Sequence, residues 1–135
     1  MKLAKKHWLA LLAFIIVALY VSVTLAQYER KEARYQRELR AFSEAYKPGL
    51  KRVEMENYFR SRNIHFSQMC CSGEKHNAMD DVVEVGHEKA GLICEERYVY
   101  VAFQFAAVEP NDKWVADSDR LVGTTLYRSA CQTMP

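Results

Sequence analysis

Residues 96–108 read ERYVYVAFQFAAV. Alternation puts Val99, Val101, Phe103, Phe105 and Ala107 on one side of an extended chain, with Tyr98, Tyr100, Ala102, Gln104 and Ala106 on the other. The first row belongs in a core. The second is unusually apolar for a water-facing row, so either another element covers it or it offers a binding face built on Tyr98 and Tyr100. Working outward, VVEVG (82–86) and RLVGTTLYR (120–128) are the neighbouring strand candidates. The polar EPNDKWVADSD, carrying Trp114, joins the last two without a helical crossover. That order predicts an antiparallel sheet with helices packed on one side.

Ahead of the strands, Pro48-Gly49 punctuates the chain. LKRVEMENYFRSRN (50–63) reads as a short helix with Met55, Tyr58, Phe59 and Arg62 on one face and Asn63 as its stop. Ile64 and Phe66 return an extended segment to the core. Gln68 to Asp81 reads as a long exposed loop containing Cys70, Cys71, Gly73, Asn77, Asp80 and Asp81.

The amino end is of a different kind. Lys2, Lys5 and Lys6 precede WLALLAFIIVALYVSVTLAQ (8–27), apolar from Trp8 to Val21 without a break. Nineteen residues from Trp8 to Ala26 reach about 28 Å as a helix, close to a bilayer core. The core of a cleaved leader usually runs about 7 to 15 residues. The stretch therefore predicts a retained membrane anchor with its lysines in the cytoplasm and its carboxyl side exported. Ala26 before Gln27 keeps a cleaved signal peptide as the alternative. QYERKEARYQRELRAFSEAYK then continues as a helix to residue 46, with Tyr28, Tyr35, Leu39, Phe42 and Tyr46 on one stripe. That seam packs either on its own domain or on a partner; Leu39, Phe42 and Tyr46 suit the domain core.

The predicted fold class is α+β: a transmembrane helix running into an exported helix, then a short helix and a three-stranded antiparallel sheet. The segments are a cytoplasmic basic end (1–7), the span (8–26), a helical extension (27–46) and a small periplasmic domain (47–135). Residues 1–46 hold eight Lys/Arg against four Glu, and residues 47–135 hold eleven against thirteen acids. The domain is thus slightly acidic, which excludes the basic patch that nucleic acid requires.

Cys70, Cys71, Cys94 and Cys131 all follow the apolar stretch. An even count on the exported side predicts disulfides, with Cys94 and Cys131 each meeting one of Cys70 or Cys71. Closing a loop of about 25 residues would stabilise by roughly 3 kcal/mol. His65, His76 and His87 near Cys70 and Cys71 have no regular ligand spacing for zinc. Cys70 or Cys71 near His65 is conceivable as a nucleophile, but an exported compartment tends to oxidise such a thiol. Asp80, Asp81 and Glu84 read as a solvated loop better than as an acid–base pair, and no phosphate loop or nucleophile elbow is present. The sequence predicts no enzyme, no cofactor and no small-molecule substrate.

PGLKRVEMENYFRSRNIHF, DDVVEVG, CEERYVYVAFQF and DRLVGTTLYRSAC together resemble the two-helix, three-strand module of bacterial envelope proteins of the BamE/SmpA and β-lactamase-inhibitor-protein type, over residues 39–131. The resemblance implies a protein-binding domain without catalysis and names Tyr98, Tyr100 and Trp114 as contact candidates. The chain departs from the assembly lipoproteins in lacking a lipidated cysteine at its apolar stretch. The expected role is a single-pass accessory or scaffolding subunit of a bacterial inner-membrane complex, respiratory, photosynthetic or transport. Its partners are membrane subunits and the lipid bilayer, and Tyr28, Tyr35, Tyr98, Tyr100 and Trp114 are its interaction candidates. The alternative is a cleaved, secreted or periplasmic binding or inhibitor-like domain.

Overall fold

The computed structural model describes residues 2–70, 78–89, 96–108 and 114–131; side chains before Trp8, and that of Leu9, are not described. The elements are α1 (Lys2–Ala45), α2 (Arg52–Ser61), β1 (Ser67–Met69), β2 (Asp80–Glu88), β3 (Arg97–Ala106) and β4 (Arg120–Arg128). By compactness the chain divides into Met1–Arg34 and Tyr35–Pro135.

The second unit is α+β, as its sequence predicts, but its sheet has four strands in the order β1-β2-β3-β4, each pair antiparallel. The fourth strand is β1, three residues at the start of what reads as an exposed loop. Its pairing of Ser67 with Val82 and Met69 with Asp80 draws Asp80 and Asp81 into β2. Three residues carry too little alternation to be legible alone.

The inner face of β3 is the predicted one. Val101, Phe103 and Phe105 join Tyr46, Met55, Phe59, Val83 and Leu121 in the core, with Leu39 and Phe42 of α1 packed against them. Aromatic rings dominate: Phe103 meets Phe42 at 5.5 Å, Tyr46 at 5.7 Å and Phe59 at 5.2 Å, all edge-on. Those are the separations at which the ring quadrupoles attract.

Helix α2 buries Arg52, Met55, Glu56 and Phe59, spaced i, i+3, i+4, i+7 as one helical face demands. Tyr58 and Arg62 are exposed; the buried face keeps Met55 and Phe59 and takes Arg52 and Glu56 in place of the other two. The charge on Arg52 and Glu56 hid the stripe. The helix stops at Asn63, whose φ of 55° takes the left-handed conformation that ends helices. Ile64 N–H then donates back to the Phe59 carbonyl at 2.8 Å.

One expected disulfide pairing is corrected. Cys70, just past β1, and Cys131, past β4, are exposed and are not joined to each other. Neither is a free thiol; Cys71 and Cys94, the other expected partners, lie outside the described residues. The sheet is joined to α2 by a buried ion-pair cluster. Arg52 Nη1 donates to Asp81 Oδ1 of β2 at 2.5 Å, and its Nε to Asp119 Oδ2, ahead of β4, at 3.2 Å. Nη2 donates to the Met79 carbonyl, and the guanidinium carbon sits 3.9 Å from the centre of the Phe105 ring. The first N–H groups of α2, orphaned in any helix, donate to the carbonyls of Asp119 at 2.9 Å and Asp117 at 3.4 Å. Arg52 thus ties α2 to both β2 and the entrance of β4.

Asp80, Asp81 and Asp119 are at most 1% exposed, and Asp81 and Asp119 both contact the Arg52 guanidinium. Burial pushes the Asp81 carboxyl up to about 7. Arg52 opposes the shift, while Glu56 and Asp80 add to it. Two buried carboxylates share the one guanidinium, so a proton on Asp81 removes a charge that burial penalises.

Candidate interaction surfaces

In the first unit, the helix is apolar and bare. Phe14, Ile16, Val17, Leu19, Tyr20 and Leu25 are all exposed. It is one helix long and apolar enough to cross a membrane, with mean hydropathy 2.2 and none of its apolar window buried. Its two hydroxyls are satisfied internally: Ser22 Oγ donates to the Ala18 carbonyl and Thr24 Oγ1 to that of Val21, each at 2.8 Å. A segment in lipid must meet its polar groups in that way, because no water is there to do it. Tyr28 lies beyond the apolar run and is 59% exposed.

In the second unit, the outer face of the sheet carries a row of aromatic rings. Tyr100 of β3 faces Tyr127 of β4 and Glu84 of β2 in register. Tyr98 stands one pleat along, paired with His87. Ring centres are 6.4 Å apart from His87 to Tyr98, 6.3 Å from Tyr98 to Tyr100 and 6.3 Å from Tyr100 to Tyr127. The three tyrosines are half-buried and His87 is exposed. The register shift between Glu84 and Gly86 makes the row. It inserts Val85, so that His87 rather than Gly86 follows Glu84 in facing Tyr98 and Tyr100. Below the rings, Ala102 and Val82 are paired and buried, and at the rim Arg128 Nε reaches Glu88 Oε1 at 2.9 Å. The Tyr100 hydroxyl is raised from its ordinary value, by burial first and then by Glu84 and its two tyrosine neighbours. It therefore stays a neutral donor and acceptor.

The sequence candidates part company here. Tyr98 and Tyr100 come together, and the structure adds Tyr127 and His87, which alternation within β3 could not reveal. Their signal lay in strand pairing. Tyr35 is 1% exposed and its hydroxyl reaches the His87 carbonyl at 3.5 Å, so it serves the inside of its own unit. Trp114 is exposed, but its carbonyl accepts from Met79, just before β2 begins. The tyrosine row sits where β2 ends, about 26 Å along the strand. Trp114 and the tyrosines are at opposite ends of the sheet.

The acid–base and metal candidates lie elsewhere in the domain. Asp80 and Asp81, which the sequence predicts as solvated, are fully buried, and Asp81 pairs with Arg52. Among the described residues no group of three His, Cys, Asp or Glu side chains converges as metal ligands do; His76 lies outside them. His65 lines a shallow open groove with Arg60, Asn63, Ile64 and Phe66. Comparison with protein-family models, curated proteins and solved structures finds no match.

Proposed function

We propose that the chain is a non-catalytic, single-pass accessory or scaffolding subunit of a bacterial inner-membrane complex, its small α+β domain held at the membrane surface by α1. The observation that carries this reading is the bare apolar helix: among the described residues nothing covers a run of that hydropathy, and lipid or other membrane helices are what it suits. The tyrosine row supports a contact role for the domain, since clustered half-buried aromatics are the side chains that anchor protein interfaces. The basic-then-apolar order of the amino end supports a cytoplasmic Lys2 and an exported domain. Within about 15 residues of the span, Lys2, Lys5 and Lys6 on one side meet Arg30, Lys31, Arg34, Arg37 and Arg40 on the other, so the orientation rests on the basic-then-apolar order and not on the flanking charge count.

The test is the intact mass of the chain drawn from gently solubilised membranes, with whatever co-elutes. An uncut chain with stoichiometric partners is expected. A chain beginning at Gln27, free in the soluble exported fraction, would replace this reading with that of a secreted binding domain.

A further inference from the structure

Arg30, Lys31 and Arg34 follow the apolar run immediately, and all three are exposed on α1. At 100° per residue Arg30 and Arg34 lie about 40° apart around the helix, with Lys31 about 100° from Arg30. The acids of the same stretch, Glu29 and Glu32, fall outside that arc, and Glu32 is half-buried. Counted from Ala26, the three basic residues stand about 6, 7 and 12 Å up the helix axis. The headgroup layer on each side of a bilayer is about 5 to 8 Å thick. Long basic side chains can bend back toward it while their stems lie along apolar surface.

We propose that Arg30, Lys31 and Arg34 form a lipid-headgroup site that selects anionic phospholipids where α1 leaves the membrane. The site rests on the membrane reading given above. Charge complementarity names the occupant: a phosphodiester carrying net negative charge, which phosphatidylglycerol has and the zwitterionic phosphatidylcholine lacks. A guanidinium can clamp two phosphate oxygens at once, and its five donors leave capacity for contacts within the chain. Continuity with the apolar run names the source as membrane lipid, whose acyl chains lie along that run, rather than dissolved phosphate.

The full chain is reconstituted into vesicles of equal parts phosphatidylcholine and phosphatidylglycerol. Spin-labelled forms of each lipid then report how much of each is motionally restricted by the protein. Wild type should restrict phosphatidylglycerol roughly threefold or more over phosphatidylcholine, because each basic group at an anionic surface favours association by about fivefold before screening. High salt should reduce that preference. The R30Q/K31Q/R34Q variant should lose it, the R30K/K31R/R34K variant should keep it, and K2Q/K5Q/K6Q should leave most of it. Equal restriction of both lipids by wild type would overturn the proposal, as would a preference that survives R30Q/K31Q/R34Q. Failure of the chain to float with the vesicles, or absence of any restricted lipid, would instead overturn the membrane reading itself.

Discussion

The two faces of β3 are built from neighbouring residues and carry different kinds of aromatic chemistry. Inward, Val99, Val101, Phe103 and Phe105 are at most 1% exposed and have no polar atom on their side chains. Outward, Tyr98 and Tyr100 are half-buried, and each ring ends in a hydroxyl. The difference teaches where stability and recognition separate in a small domain. Phenylalanines inside supply transfer energy and edge-on packing, while tyrosines outside supply area that still tolerates water. The Arg52 cluster adds a third kind of contact, charged yet fully buried, which joins α2 to the sheet.

That contrast can be broken most severely from the inside. Phe103→Ala should cost roughly 3 to 5 kcal/mol, because the hole opens among Phe42, Tyr46 and Phe59, rings that cannot collapse into it. Urea unfolding of the full chain would measure the loss, and a cost near that of a surface change would show the inner face to be loosely packed. Arg52→Gln should come next, at about 3 kcal/mol, the low end for removing one member of a buried ion pair. Proton uptake by Asp81 would soften the penalty.

The same cluster predicts a pH dependence, and its direction is unusual for a carboxylate. Asp81 in the folded chain titrates near 7, above the usual 3.8. Between those values the folded state holds a proton that the unfolded state has released. Through this group, stability therefore falls as pH rises toward and past 7, and recovers as pH falls. Melting temperature followed from mildly acidic to mildly alkaline pH should show that slope, and Asp81→Asn, which cannot titrate, should flatten it. A wild-type curve parallel to that of the variant would place Asp81 as a fully ionised partner of Arg52.

The smallest effect on stability is expected outside. Tyr98→Ala with Tyr100→Ala should cost about 1 kcal/mol or less per site, as cross-strand aromatic pairs usually do. Retention of co-purifying partners should nevertheless drop sharply. A large loss of stability with unchanged partner retention would mean that the outer row belongs to the fold.

The sequence exposed much of this frame. Strict alternation in residues 96–108 announced β3 and its core face. Asn63 marked the end of α2, and Leu39, Phe42 and Tyr46 were legible as a core-facing stripe. What stayed hidden was charged or short. Arg52 and Glu56 lie on the buried face of α2, yet local pattern assigns charge to solvent. Asp80 and Asp81 looked like loop residues because β1, which pairs with them, is three residues long. Asp81 is buried against a guanidinium 29 positions away in sequence.

By itself, the sequence determined the bare apolar helix, the α+β class and the inward row of β3. Each follows from side-chain periodicity within one segment, and periodicity is a local property. Only the tertiary structure decided that Arg52 meets Asp81 and Asp119, and that His87 and Tyr127 complete a row begun by Tyr98 and Tyr100. Those are products of strand register and of one bulge, and register is set by which segments pair, a choice that no segment makes alone.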